Sequence, residues 1–155
     1  MASSRSRLRV LACMAAFLAG GLAPAAAQDA PSAAQNASPA SALALELNTA
    51  NDVGDGCRLA FVAYNGTDRA LEAVSYEVVV FDGGQRISQF VLLDFGALPQ
   101  RKTKIVQFDI ANSKCADISR IVINSASRCE AGGATLPLCL DAAKPTSRTS
   151  IALDL

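Results

Sequence analysis

The stretch that decides the fold is "LAFVAYNGTDRALEAVSYEVVVFDGGQRI", residues Leu59–Ile87. It contains two runs in which apolar residues recur at every second position, the periodicity of a β-strand with one buried face. The segments "NGT" and "DGG" follow the two runs and offer residues that accept positive φ in the turns between strands. On one face of each run we expect Cys57, Leu59, Phe61 and Ala63, and then Val74, Tyr76, Val78 and Val80.

Working outward from these two strands, Cys57–Asn65 and Ala70–Asp82, the same period predicts five more. They are Leu43–Asn48, Gln85–Phe95, Lys102–Ile110, Ile118–Ser125 and Ser150–Leu155. The strand at Gln85–Phe95 is apolar on both faces near its centre, which predicts a strand buried on both faces. About seven short strands, with no stretch of helical period, predict an all-β, single immunoglobulin/fibronectin-like antiparallel β-sandwich over residues 43–155. A small β-barrel is the alternative.

The opening stretch also resembles small bacterial fibronectin domains of the FxLYD type. These domains have a strand ending in Asn, a short turn, and a longer strand that ends near an aromatic-Asp pair before a Gly turn. Residues Phe81-Asp82-Gly83-Gly84 match the last part, with Phe81 where those domains have Tyr. The resemblance implies a fibronectin-like sandwich and carries no activity. The pattern as a whole is also similar to exported proteins of proteobacteria.

The N-terminal residues predict export. Arg5, Arg7 and Arg9 precede an interrupted apolar run, and the small residues Ala25–Ala27 follow it, the pattern of a secretory signal peptide. We expect residues 1–27 to be a Sec-type signal cleaved before Gln28, with the mature chain periplasmic or secreted and not membrane-spanning. Residues 28–42 are rich in Ala, Ser, Pro and Gln, a composition that predicts a disordered linker.

Four cysteines would remain after cleavage, and an even number in an exported chain predicts two disulfides. A zinc site or redox pair is the alternative, but the chain has no CxxC motif and no histidine. Cys115 and Cys129 flank a predicted strand whose ends lie roughly 25 Å apart, too far for a bridge. If consecutive strands alternate in direction, Cys115 returns to the end of the domain where Cys57 lies. The predicted pairs are therefore Cys57–Cys115 and Cys129–Cys139.

The composition argues against several classes of function. The chain has no histidine and no tryptophan, so His-dependent catalysis and His-ligated metals are excluded, and no cofactor is expected. Removal of the three signal arginines from 14 basic residues leaves 11 against 14 acidic residues, a net charge of −3 that argues against nucleic-acid binding. The tyrosines, Tyr64 and Tyr76, lie in predicted strands, where core packing is expected.

Three groups of charged residues remain as candidate sites. A glycosidase needs only a carboxylate pair, but the strand carboxylates are expected on solvated outer faces: Glu72, Glu77, Asp94 and Asp109. The triplet Arg101, Lys102 and Lys104 is interpreted as a source of solubility and as protection of a sheet edge, with an interaction patch for an anionic ligand as the alternative. "NTANDVGDGC", Asn48–Cys57, is interpreted as a turn, because the oxygen ligands of a calcium loop are incomplete. Cation binding by Asp52 and Asp55 stays open.

Two functions are compatible with these observations. We expect a non-catalytic exported β-sandwich module that binds another protein or an envelope component, by pairing at an exposed sheet edge. The alternative is a small ligand-binding protein or a carboxylate-based hydrolase, which would require convergent acidic residues in a deep pocket.

Overall fold

A computed structural model describes residues 42–155 of the chain. The predicted signal peptide and almost all of the predicted linker lie outside the described residues. Ala42, assigned to the linker from the sequence, is buried, and its carbonyl accepts a hydrogen bond of 2.9 Å from the Gly66 backbone N–H. The folded domain therefore includes Ala42.

The first sheet has four strands in the order β5-β2-β1-β8. Its strands are β1 (Leu43–Val53), β2 (Gly56–Asn65), β5 (Thr103–Ile110) and β8 (Ala143–Ser147). The ladders of β2 with β1 and β5 are antiparallel, whereas β8 pairs with β1 in parallel. The sheet thus ends in β5 on one side and in β8 on the other.

The second sheet has five strands. Its order is β4-β3-β6-β7, and β9 also pairs with β6. The strands are β3 (Leu71–Asp82), β4 (Ile87–Leu98), β6 (Ile118–Ala131), β7 (Ala134–Thr135) and β9 (Ala152–Asp154). A 3₁₀ turn at Cys115–Asp117 precedes β6, and the four-residue helix α1 (Leu138–Asp141) lies between β7 and β8. β4 is an edge strand of this sheet, since it pairs with β3 on one side and with no described strand on the other.

The two sheets pack face to face, and the prediction of an all-β sandwich with two disulfides is confirmed. The strands form no closed barrel, so the alternative architecture is wrong. The described residues contain nine strands rather than the seven predicted, and the two additional strands are β7 and β8. β8 contains Pro145, which weakens a strand pattern because proline cannot donate to a ladder. The pairing is not purely antiparallel either, since β8 and β9 run parallel to their partners.

An aromatic cluster fills the space between the sheets. The ring of Phe95, from β4, lies 5.6 Å from Phe61, 5.1 Å from Phe108 and 5.8 Å from Tyr76, all in edge-to-face geometry. Such arrangements are preferred by the ring quadrupoles and add to the burial of apolar area. The residues predicted for the inner faces of β2 and β3 are all buried in this core.

The segment Asn48–Cys57 is mostly strand, and its interpretation as a turn was wrong for the greater part. β1 continues to Val53 with a bulge after Leu47, and the reversal is confined to Gly54 and Asp55. Gly54 has a φ of 57°, a conformation that glycine adopts without steric cost. The next glycine is required by packing, since a Cβ on Gly56 would lie 2.6 Å from the Ile110 carbonyl oxygen.

The two predicted polar turns use side chains rather than glycine φ angles. Asp82 Oδ1 accepts hydrogen bonds from the backbone N–H of Gly84 at 2.8 Å and of Arg86 at 2.9 Å, and Gln85 takes the positive φ of 61°. In the other turn, the buried Asn65 amide donates to the Leu98 carbonyl at 2.8 Å and accepts from the Thr67 hydroxyl at 2.6 Å. Both segments thus lie where the chain turns between strands, as predicted, but none of their residues has a positive φ.

Both disulfides join the residues that strand alternation predicts, Cys57–Cys115 and Cys129–Cys139. Cys57 pairs across the first sheet with Ile110, the last residue of β5, so the segment after β5 begins beside it. Cys129 lies inside β6 rather than beyond its end, because this strand extends to Ala131 instead of Ser125. The second disulfide therefore fastens α1, which carries Cys139, against β6.

Candidate functional site: the free edge of β4

The carboxylates considered for catalysis are not brought together. Asp109 lies on the outer face of the first sheet, where it forms a bidentate pair with Arg58 at 2.7 Å. That guanidinium lowers the pKa of the Asp109 carboxyl. The other three lie on the second sheet, and each accepts a hydrogen bond from a neighbour: Glu72 from the Gly132 N–H, Glu77 from the Asn124 amide and Asp94 from the Gly96 N–H. These contacts describe four separate surface carboxylates.

The basic triplet divides into different roles. Lys104 donates through Nζ to the Phe95 carbonyl at 2.6 Å and to the Ala97 carbonyl at 3.2 Å, so its ammonium group covers one end of the β4 edge. Arg101 and Lys102 are exposed in the connection between β4 and β5, where the Arg101 backbone N–H donates to the Asn65 carbonyl at 2.7 Å. The geometry of Lys104 is that of edge protection by a charged side chain.

Asp52 and Asp55 also differ from each other. Asp52 Oδ1 accepts a hydrogen bond of 2.8 Å from the backbone N–H of Cys115, and the Lys114 ammonium group donates to the Gly54 carbonyl. These contacts tie the β1–β2 hairpin to the segment that carries the first disulfide. Asp55 is exposed in the turn. Among residues 42–155, no group of three or more Cys, Asp or Glu side chains has the arrangement of a metal site.

The two tyrosines occupy different environments: Tyr76 lies on the inner face of the second sheet, and Tyr64 lies on the outer face of the first sheet. Tyr76 is a core residue, as predicted, and its hydroxyl donates to the Cys139 carbonyl at 2.7 Å. Burial raises the pKa of the Tyr76 phenol above its usual value. Tyr64 is only half-buried and alternates with the inward-facing Ala63, so the expectation of core packing was wrong for this residue.

The most unusual surface of the described domain lies on β4. This strand has 12 residues, whereas the outermost strands elsewhere have eight (β5), five (β8), three (β9) and two (β7). Three large apolar side chains of β4 are exposed: Ile87 at 57%, Phe90 at 60% and Leu92 at 60%. We call these three residues the β4 apolar patch. On its side away from β3, no strand of residues 42–155 pairs with β4.

The patch lies on the outer face of the second sheet and continues onto β3. Phe90 is directly opposite Val79, which points away from the core and is nevertheless only 6% exposed. On the other side of Val79, its neighbour on β6 is Val122. Ile87 is opposite Phe81, whose ring is covered by the Arg120 guanidinium at 4.5 Å. The row Phe90, Val79 and Val122 is thus apolar from the sheet edge inward, in contrast to the polar outer face expected of a solvated sheet, whereas Leu92 lies opposite Glu77.

The inner side of β4 fixes the strand in place. Leu93, Phe95 and Leu98 are buried in the core. On the side toward the first sheet, the Gln89 amide donates to the Ala111 carbonyl at 3.3 Å and to the Ser113 hydroxyl at 3.2 Å. The edge is therefore held by the core, Gln89 and Lys104, while the outward side chains of Phe90 and Leu92 remain exposed. A rigid edge with an apolar face is a surface to which another extended chain can add.

The opposite side of the second sheet is covered. β9 pairs with the first part of β6, and β7 pairs with its last two residues. The helix α1 is held against β6 by the Cys129–Cys139 disulfide and against β3 by the hydrogen bond from Tyr76 to Cys139. Of the two sides of this sheet, β4 is the one that lacks a covering segment within the described residues.

Sequence reasoning missed this site because it interpreted Gln85–Phe95 as a strand buried on both faces, and that interpretation was wrong. β4 is an edge strand, and Phe90 and Leu92 are exposed. A strand that is apolar on both faces has the same sequence pattern whether another strand of the chain or a partner covers it. The available signal was the apolar run itself, "FVLL", Phe90–Leu93.

Comparisons with known proteins extend only to the fold. No family model and no curated protein matches the chain. Among solved structures, the IrmA protein from Escherichia coli is similar, with a TM-score of 0.56 and 15% sequence identity over 67% of this chain and 90% of that protein. At this identity, the similarity supports the arrangement of strands alone. The likeness to FxLYD-type domains stays a prediction.

Neither α1 nor the 3₁₀ turn of the described chain is long and apolar enough to span a membrane.

Proposed function

We propose that this chain is a non-catalytic exported module that binds another protein by pairing an extended segment with the free edge of β4. The observation that carries the proposal is the combination of a 12-residue edge strand with Phe90 and Leu92, each 60% exposed on the outer face. In such strand addition, backbone hydrogen bonds provide affinity and alternate side chains provide specificity.

The direction of the exposed side chains supports this mode of binding. Phe90 and Leu92 are two residues apart on one face, so an added strand would place its own alternate side chains beside them. Segment Ile87–Leu93 contains no charged residue, and desolvation of the edge therefore carries no cost of burying a charge. A partner segment with apolar residues at alternate positions fits this surface.

Lys104 limits the length of the β4 edge that can pair with an added strand. Its ammonium group already occupies the carbonyls of Phe95 and Ala97, beyond Asp94. An added strand would have to displace this contact in order to extend past Asp94. We therefore assign the binding segment to Ile87–Leu93 and give Lys104 the role of ending it.

Export is the second part of the proposal. The signal-peptide pattern of residues 1–27 supports secretion, and the two disulfides fit an oxidising compartment. N-terminal sequencing of the mature chain from a fractionated host tests this part. We expect an N-terminus at Gln28 in the periplasmic or secreted fraction, and an uncleaved chain in the cytoplasm would contradict it.

The binding proposal is tested by site-specific photocrosslinking in the intact host. A photoreactive residue replaces Phe90 in one variant and Ile105 in the matched control, because Ile105 is exposed by 69% on β5, the edge strand of the other sheet. We expect an adduct with a second polypeptide from position 90 and none from position 105. Equal adducts from both positions, or adducts from position 105 alone, would contradict binding at β4.

A further inference from the structure

The β4 edge is complementary to a second copy of itself. Binding to an unrelated strand would not require this property. Its free segment reads Gln89-Phe90-Val91-Leu92-Leu93, with Val91 at the centre. When two copies run antiparallel about a two-fold axis at Val91, Phe90 of each copy lies opposite Leu92 of the other. Both side chains point to the same outer face, so four exposed apolar residues form one continuous row.

We propose that the partner of the β4 edge is a second copy of this chain, joined by antiparallel β4–β4 pairing about Val91. This inference rests on the proposed function, because it names the partner of the same edge. The pairing joins the two five-stranded sheets into one continuous sheet across the dimer. It also removes the free edge, which is the usual hazard of a long apolar edge strand.

The exposed apolar side chains of β4 favour this register over its neighbours. With the axis at Val91, Asp94 lies opposite Ser88, whose hydroxyl donates to the Val80 carbonyl within its own chain, and no like charges face each other. Moving the axis to Leu92 would place Asp94 opposite Phe90 and would remove apolar contact from both ends. Moving it to Phe90 would place Asp94 opposite Arg86, an ion pair, but would place Leu92 opposite Ser88 and lose its apolar contact. The register at Val91 is the one that pairs all four apolar side chains with each other.

The size of the interface determines how strong the dimer is. The exposed parts of Phe90 and Leu92, at 60% each, amount to roughly 100 Å² a side chain, so the four contribute a few hundred Å². With the backbone edges and Ile87 added, the total stays below the roughly 1,200 Å² of standard stable interfaces. The dimer is therefore weak and reversible, with dissociation at micromolar or higher concentration.

The two-fold symmetry provides a sharp test, because one substitution alters the interface twice. Sedimentation velocity of the purified, oxidised chain from about 1 μM to about 1 mM spans the expected transition. We expect a shift from monomer to dimer in the unaltered chain and in the control Ile105→Lys, which places the same charge on the other edge strand. In Leu92→Lys, we expect the dissociation constant to rise at least about tenfold, since two ammonium groups enter the apolar row.

A crosslink determines the register. Phe90→Cys chain mixed with Leu92→Cys chain under oxidised glutathione should form a disulfide-linked heterodimer, because opposite residues of paired strands lie within bridging distance. Phe90→Cys mixed with Ile105→Cys is the matched control, and we expect no specific heterodimer from it.

Two results would overturn the inference. A dimer that persists in Leu92→Lys would show that self-association uses another surface. A chain that stays monomeric over the whole range, while position 90 crosslinks to a different protein in the host, would assign the edge to that protein. The second result would leave the proposed function standing, whereas absence of any adduct at position 90 from a monomeric chain would refute both.

Discussion

The two disulfides close loops of very different length, and their removal should cost different amounts of stability. Cys57 and Cys115 are separated by 58 positions in the sequence, and Cys129 and Cys139 by 10. If a disulfide stabilises the domain by restricting the unfolded chain, the free-energy contribution grows with the logarithm of the loop length. The 58-residue loop then corresponds to about 4 kcal/mol and the 10-residue loop to about 2.7 kcal/mol.

The perturbation is the paired replacement Cys57→Ala/Cys115→Ala, with Cys129→Ala/Cys139→Ala as its counterpart. Urea unfolding followed by circular dichroism gives the free energy of unfolding of each variant. We expect the first variant to lose about 1 to 1.5 kcal/mol more than the second. Because small domains have about 5–15 kcal/mol of stability, the first variant should lose between about a quarter and most of it.

An equal or larger loss from Cys129→Ala/Cys139→Ala would refute the loop-length reasoning. That result would mean that the short bridge acts mainly by holding α1 against β6, so that the Tyr76–Cys139 hydrogen bond is lost with it. Tyr76→Phe in the background of the intact disulfide separates the two effects, since it removes the hydrogen bond without changing the loop.

Three further results are expected from urea unfolding. Tyr76→Phe should lose about 1 kcal/mol, because the buried Cys139 carbonyl loses its donor, and an unchanged midpoint would contradict the role of this bond. Asn65→Ala should lose about 2 kcal/mol or more, because its amide satisfies the buried Leu98 carbonyl; a loss below about 0.5 kcal/mol would argue against it. Asp109 has a lowered pKa, so its contribution is present above its ordinary pKa near about 3.9 and disappears as the pH falls through the lowered value. The difference between the unaltered chain and Asp109→Asn should therefore vanish in acid, and a difference that persists there would contradict the ion pair.

The sandwich and the cysteine pairing could be predicted because both depend on local patterns. In β2 and β3, the period of two separates core residues such as Phe61 and Val78 from outward ones, and the structure buries them as predicted. The cysteine pairs follow from strand direction: if consecutive strands alternate, β5 ends at the end of the domain where β2 begins with Cys57, and Cys129 is left for Cys139. These predictions needed no knowledge of which strands share a sheet.

The binding edge could not be predicted because it depends on sheet order. β4 has the sequence of a buried strand, and only the order β4-β3-β6 places it at an edge with Phe90 and Leu92 exposed. The extension of β1 to Val53 was missed for a related reason. Its polar residues, Asn51 and Asp52, pair with Arg58 and Cys57 of β2, and cross-strand pairing overrides their local preference for turns.

Lys104 shows how the chain limits an edge that it leaves open. Its ammonium group occupies two carbonyls near the end of β4, whereas "FVLL", Phe90–Leu93, has no such guard within the described residues. Leu92→Lys imitates this natural protection in the middle of the strand. Because Leu92 is 60% exposed, the substitution should change the free energy of unfolding by less than about 0.5 kcal/mol. Loss of binding in this variant can then be attributed to the edge.

The most direct test of the account is amide hydrogen exchange along β4, compared between the free chain and the complex formed through position 90. We expect exchange to slow at residues 89–93, where an added strand would accept the edge-facing N–H groups, while the amides of β5 remain unchanged. Unchanged exchange in β4, or protection confined to β5 or to the outer face of the first sheet, would contradict strand pairing at this edge.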